Sequence, residues 1–164
     1  MSITKALQAR FPYMFEGREQ GLALPRGWQP VFEALCEAID RVLGPDKHGF
    51  QWTQIKEKFG VARMYFSLDG RSSVLISLMG TEGVSTFRHA PEDPDGPVVA
   101  LRGQINELVS DATRKTGSLC ALCGAPGKSD VHGGYVLTVC PQHAQDRMTG
   151  RFQQLWLEAW KDTP

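Results

Sequence analysis

The spacing of cysteine and histidine near the end of the chain constrains its fold more than any other feature. Cys120 and Cys123 form a C-x-x-C pair, which Gly124 follows directly. Cys140 and His143 form a C-x-x-H pair that begins sixteen residues after Gly124. Two pairs at this separation are typical of a zinc site, because zinc takes four thiolate or imidazole ligands in a tetrahedron. We therefore predict that these four residues bind one structural zinc ion per chain.

The residues around the second pair predict a hairpin followed by a helix. The hairpin covers 131–139, with a Gly-Gly turn at 133–134. The last helix is predicted over about 141–161, with its weakest point at Gly150. A knuckle, a hairpin and a helix carrying the last two ligands occur in this order in treble-clef zinc fingers, which residues 118–146 resemble. Such modules serve many purposes, so the resemblance implies a fold but no function.

Other interpretations of this motif exist. His132 could replace His143 as the nitrogen ligand, although position and spacing favour His143. A redox C-x-x-C motif is expected to follow a strand, and no predicted strand precedes Cys120. A chain without metal is the remaining alternative. Because four protein ligands leave no coordination position for water, the predicted zinc is structural and not catalytic.

The charge balance limits the classes of partner. Lys plus Arg and Asp plus Glu each total 18, so the net charge is zero. A general nucleic-acid binder carries a basic surplus, so neutrality favours a protein partner. The sequence shows no apolar run of membrane-spanning length and no signal-like start, and its cysteines follow a metal pattern. We therefore expect a soluble cytoplasmic protein that does not contact a membrane.

Hydrophobic periodicity predicts the helices of the first part of the chain. A short helix is predicted over residues 2–9, with Ser2 as its N-cap. Apolar residues recur on one helical face over about 31–43 and again over about 98–114. Cys36 lies on the apolar stripe of the second helix and is predicted to be buried. The segment 11–15 is predicted to be an extended arm, because its proline disfavours helical backbone in the preceding residue.

Strands are predicted between the second and third of these helices, over about 49–88. Alternation of apolar residues over 61–68 is typical of a half-buried strand, and the Asp-Gly pair at 69–70 predicts a hairpin. The returning strand is predicted at 74–79, followed by a weaker strand at 83–89. A surface loop or linker follows, because prolines and acidic residues dominate there.

These elements together predict an α+β fold. A small antiparallel sheet flanked by helices forms a body of residues 1–115. The zinc knuckle, the hairpin and the C-terminal helix of residues 116–164 pack on that body as a treble-clef-like module.

Several short motifs resemble a little-characterised group of bacterial and phage proteins over residues 10–145. The motifs are Phe11-Pro-Tyr-Met-Phe15, Gly27-Trp28, Gln54-Ile-Lys-Glu-Lys-Phe-Gly60 with Arg63 and Tyr65, and Cys120-x-x-Cys-Gly124. Ala62 stands where the group has a larger aliphatic residue, which indicates looser packing under the sheet. Related small proteins lie beside polymorphic toxin genes, so the resemblance implies an immunity protein.

The most distinctive of these motifs offers a candidate binding surface. Lys56, Lys58, Arg63 and Tyr65 are predicted to line one exposed strip that contacts a partner. The competing interpretation is a charged strand edge that discourages aggregation.

No catalytic residues are predicted, because the chain lacks a phosphate-binding glycine loop, a nucleophile elbow and an H-E-x-x-H helix. We therefore expect a protein-binding protein that is not an enzyme. Its most concrete form is an immunity protein that neutralises a toxin domain by stoichiometric occlusion. The alternative is a nucleic-acid-binding phage or regulatory zinc protein.

Overall fold

The described part of the chain combines helices with three small sheets, as a computed structural model shows. The structure describes residues 3–16, 22–69, 71–72, 75–80, 83–88 and 96–160. The helices are α1 (Ile3–Arg10), α2 (Gln29–Leu43), α3 (Pro97–Thr116), α4 (Pro141–Met148) and α5 (Phe152–Ala159). The strands are β1 (Leu22–Ala23), β2 (Gln51–Lys58), β3 (Val61–Leu68), β4 (Arg71–Ser72), β5 (Leu75–Gly80), β6 (Gly83–Arg88), β7 (Lys128–His132) and β8 (Tyr135–Val139). The predicted α+β class is confirmed.

The main sheet has the order β1-β2-β3-β4. The antiparallel β2–β3 pair forms its centre, and only the short β1 runs parallel to its neighbour. Leu68 pairs with Arg71, which confirms the hairpin predicted at 69–70. The strand predicted at 74–79 was expected to return alongside β3, and this pairing is wrong. β4 pairs with β3 instead. β5 pairs with β6, because only two residues separate Gly80 from Gly83 and so favour a local hairpin.

The core lies between the inner face of the main sheet and the two long helices. Trp52 of β2 is buried, and its ring meets Phe32 of α2 at 5.3 Å, Phe50 at 5.1 Å and Phe66 of β3 at 6.5 Å between centroids. Alternate residues of β3 point inward, which confirms the predicted half-buried strand. Cys36 is fully buried on the inner face of α2, as predicted.

Two predicted segments differ from the structure. Residues 11–15 are not an extended arm. Phe11 is non-helical, as a residue before proline should be, but Pro12 starts a 3₁₀ turn that buries Met14. The predicted last helix is two helices, because Gly150 adopts a φ of 78° and ends the helical path between α4 and α5. The linker predicted after β6 lies mostly outside the described residues.

The zinc-motif segment docks on the body through Gly27 and Trp28. The Gly27 N–H donates to the Ala121 carbonyl at 2.9 Å, and the Trp28 indole N–H donates to the Leu119 carbonyl at 2.8 Å. A side chain at position 27 would place its Cβ 2.2 Å from the Cys120 carbonyl oxygen. Only glycine therefore allows this approach.

A second docking point joins the β7–β8 hairpin to the turn between β2 and β3. The Thr138 hydroxyl donates to the Gly60 carbonyl at 2.7 Å, and the Tyr135 hydroxyl donates to Glu57 Oε2 at 2.6 Å. Burial and the Glu57 carboxylate raise the pKa of Tyr135 to about 12, so the phenol stays a donor at neutral pH. The body and the C-terminal segment share one apolar core. None of the described helices is both long and apolar enough to cross a bilayer.

Replacing Gly27 with alanine should destabilise the protein by about 1–3 kcal/mol or more, since the new Cβ meets backbone atoms that cannot rotate away. Gly103→Ala is the matched control, because nothing lies within 4 Å of a Cβ at that helical position. The control should stabilise by about 0.5–1 kcal/mol through helix propensity. Urea unfolding measures both, and equal effects would contradict the docking contact.

Candidate metal centre

The C-x-x-C pair sits in a tight turn directly after α3. The Cys120 N–H donates to the Ala125 carbonyl at 2.7 Å, and the Gly124 N–H donates to the Cys120 carbonyl at 2.8 Å. Gly124 has a φ of 76°, and a Cβ there would approach the Gly27 carbonyl oxygen to 2.9 Å. Only glycine suits this position, and the turn directs both cysteines of the pair towards one point.

The C-x-x-H pair is positioned by the hairpin and by α4. The hairpin turns at Gly133 and Gly134, both with positive φ, as predicted. β8 ends at Val139, and Cys140 is the N-cap residue of α4. His143 lies in the first turn of that helix. The unpaired backbone N–H groups at the start of α4 and the positive end of its dipole suit a site that holds thiolates.

The four predicted ligands come together. The His143 Nδ1 atom lies 3.3 Å from Cys120 Sγ and 3.2 Å from Cys140 Sγ, and the Sγ atoms of Cys123 and Cys140 are 3.9 Å apart. All four ligand atoms lie within 4.8 Å of one another. A zinc–thiolate bond of about 2.3 Å gives a tetrahedral edge of about 3.8 Å. The cluster therefore has the size of a shell around a single metal ion.

The thiols of the cluster differ in their tendency to ionise. Burial raises the pKa of the Cys120 thiol to about 11. Burial also opposes ionisation of Cys140, but hydrogen bonds from the His143 backbone N–H and from Cys120 and Cys123 hold its pKa below the usual value. Buried thiolates need a compensating positive charge, and a divalent cation bound by these four residues would supply it.

Arg147 is a supporting residue that the sequence analysis missed. Its side chain is only 3% exposed and donates to Asp130 Oδ2 at 2.6 Å, to the Asp130 carbonyl at 2.9 Å and to the Tyr135 carbonyl at 2.7 Å. Its guanidinium also stacks on Phe152 at 5.2 Å. Arg147 thereby ties both strands of the hairpin to α4. Its position four residues after His143, on the same helix face, was the available signal.

The remaining predicted residues lie away from the cluster. His132 is exposed at the end of β7 and is not part of the ligand group, which contains His143. Lys56 of β2 pairs directly with Arg63 of β3. Lys58 lies two positions after Lys56 on β2, and Tyr65 lies two positions after Arg63 on β3, towards the opposite end of the hairpin. Both are on the same outer side of the sheet. Lys58 and Arg63 are exposed, whereas Lys56 and Tyr65 are half-buried, and none of the four belongs to the metal cluster. Their contact with a partner stays a prediction.

No known protein family, curated protein or solved structure matches the chain. The resemblance to a bacterial and phage protein group therefore stays a prediction.

The protein should contain one tightly bound metal ion per chain when it is purified without added metal. Cys123→Ser should abolish the metal and lower the melting temperature, because it removes one of four ligands. Cys36→Ser should keep the metal, since Cys36 lies in the core away from the cluster. Elemental analysis with thermal unfolding measures both effects. A metal-free protein as stable as the loaded one would contradict the site.

Proposed function

We propose that the protein is a zinc-stabilised protein-binding protein whose partner presents an acidic surface. The observation that carries the proposal is a group of cations on the outer face of β2 and β3 that make no ion pair with any described residue. We call this surface the cationic face and define it as Lys56, Lys58, Arg63 and Tyr65.

Zinc is the metal that the ligand set favours. Three thiolates and one imidazole are soft to intermediate donors, and a four-coordinate tetrahedral arrangement is typical of structural zinc. Such sites contribute roughly 10–16 kcal/mol of apparent folding free energy. The role of the ion is to lock the knuckle, the hairpin and α4 together, so that the β2–β3 turn docked on the hairpin is held firmly.

The positive charges of the cationic face repel one another and so destabilise the sheet. Lys56 and Arg63 are direct cross-strand partners, and like charges opposite each other destabilise a sheet. Lys58 extends the positive charge on the same side. Residues that destabilise the fold and have no compensating contact within it are expected at functional surfaces. An acidic partner would relieve this repulsion and gain specificity from it.

The most concrete form of this function is an immunity protein that neutralises a toxin domain. The resemblance noted from the sequence supports it, and so does the absence of a recognisable catalytic motif in the chain. Such a protein acts by covering the toxin, which takes an interface of about 1,200–2,000 Å² and one copy per toxin molecule.

Nucleic acid is the competing partner, because the same three cations could contact phosphates. The net charge of zero opposes it, since general phosphate binding relies on a basic surplus. The salt dependence of binding distinguishes nucleic acid from a protein partner. Micromolar binding to nucleic acid at about 200 mM salt, with a steep loss as salt rises further, would favour this alternative over a protein partner.

Arg63→Ala should weaken partner capture about tenfold or more without loss of metal, because Arg63 is exposed at the centre of the cationic face. Arg41→Ala is the matched control, since Arg41 is an exposed arginine on α2. The measurement is quantitative affinity capture from cells of the source organism, with metal analysis of each variant. Equal capture by both variants would exclude the cationic face.

Protection against a toxin partner should reach its maximum at one copy of this protein per toxin molecule, because occlusion consumes one binding surface for each toxin. A titration of toxin activity with purified protein measures the ratio. Full protection at a small fraction of one copy would show turnover, and the occlusion mechanism would then be wrong.

A further inference from the structure

The turn between β2 and β3 holds an aromatic residue in an unfavourable backbone conformation. Phe59 has a φ of 55° and Gly60 a φ of 79°, so the two-residue turn has the left-handed form that favours Asn, Asp or Gly. Phenylalanine rarely adopts such a φ. Strained residues of this kind cluster at binding and catalytic sites, where the surrounding structure imposes the conformation.

The neighbours of this turn hold it rigid. Glu57 Oε1 accepts from the Gly60 N–H at 2.8 Å, while Glu57 Oε2 accepts from the Tyr135 hydroxyl at 2.6 Å. Gly60 also packs closely against Thr138 of β8, since a Cβ at position 60 would lie 3.2 Å from the Thr138 nitrogen. The C-terminal module therefore restrains the backbone of the turn, and this backbone sets the direction in which the Phe59 side chain leaves the surface.

The ring of Phe59 is nevertheless left in solvent. Its exposed fraction is 67%, the largest of any described aromatic side chain. The Lys58 ammonium lies 5.1 Å from the ring centroid, and the cations of Lys56 and Arg63 follow along the same hairpin. The surface is thus an apolar ring with positive charge beside it, and its complement is an apolar pocket with carboxylates at the rim.

We propose that Phe59 is the anchor with which the cationic face docks into an apolar, carboxylate-rimmed pocket on a protein partner. This inference rests on the proposed function and names the chemistry of the partner's site. The zinc-held hairpin fixes the turn, the turn presents the ring, and the partner buries it. An aromatic residue on a restrained backbone turn loses less backbone freedom on binding than one on a flexible loop, and aromatic residues are enriched at interface hot spots.

The test replaces Phe59 with asparagine, which tolerates the left-handed backbone and removes the ring. The variant should melt at or above the wild-type temperature, so that lost binding does not reflect unfolding. The probe is a phage-displayed library of random peptides selected on the metal-loaded wild-type protein. The selection should enrich peptides that combine acidic and apolar residues. The best synthetic peptide should bind Phe59→Asn about 30-fold or more weakly.

Arg63→Glu and Arg41→Ala complete the comparison. Arg63→Glu should strongly weaken binding of the peptide, because it repels the peptide's carboxylates. Arg41→Ala should leave peptide binding unchanged. If Arg63→Glu weakens binding but the affinity of Phe59→Asn stays within about twofold of wild type, the proposal that Phe59 is the anchor is wrong. The proposal that the cationic face binds the partner is then retained. If neither changes binding, or no acidic peptide is enriched, both proposals fail. A Phe59-dependent dimer in sedimentation analysis would overturn the proposal by showing a second copy as the occupant.

Discussion

Three buried or half-buried ligands and one exposed cysteine converge on a single point, and the C-terminal part of the molecule depends on that convergence. Cys120 belongs to the knuckle after α3, whereas Cys140 and His143 belong to the start of α4. Without a cation, the burial of Cys120 disfavours its thiolate form. With a cation, the same burial shields the metal–thiolate bonds from water. A bound ion would therefore join the knuckle to the start of α4 across the intervening hairpin.

This constraint reaches the body of the protein through glycines. Gly27 meets the knuckle so closely that a Cβ would lie 2.2 Å from a backbone carbonyl oxygen. Gly60 meets the hairpin less closely, at 3.2 Å for a Cβ, but its φ of 79° also favours glycine. The structure gives both glycines a packing role. Arg147 adds a third link, because it holds the hairpin to the helix that begins after Cys140. The metal centre and the exposed turn at Phe59 are thus parts of one framework.

Local chemistry explains what the sequence could predict. The spacing of four ligands identified the metal cluster, and helical periodicity located α2 and α3 to within two residues at each end. Alternation of apolar residues identified the inner face of β3. What the sequence could not show depends on contacts between distant segments. Arg147 satisfies carbonyl groups of the hairpin, and its spacing from His143 gives the helix face but not these partners. The short connection between β5 and β6 favours their pairing, but the apolar pattern of 74–79 does not specify which strand it pairs with. Gly150 was seen as a weak point, but its left-handed conformation ends the helix outright.

The central claim is that one zinc ion with a closed shell of four protein ligands holds this framework. X-ray absorption spectroscopy at the zinc edge of the purified protein tests it most directly. The account predicts about three sulfur ligands near 2.3 Å and one nitrogen ligand near 2.0–2.1 Å, with no bound water. A shell dominated by oxygen, or one with a water in place of a thiolate, would contradict a closed structural site.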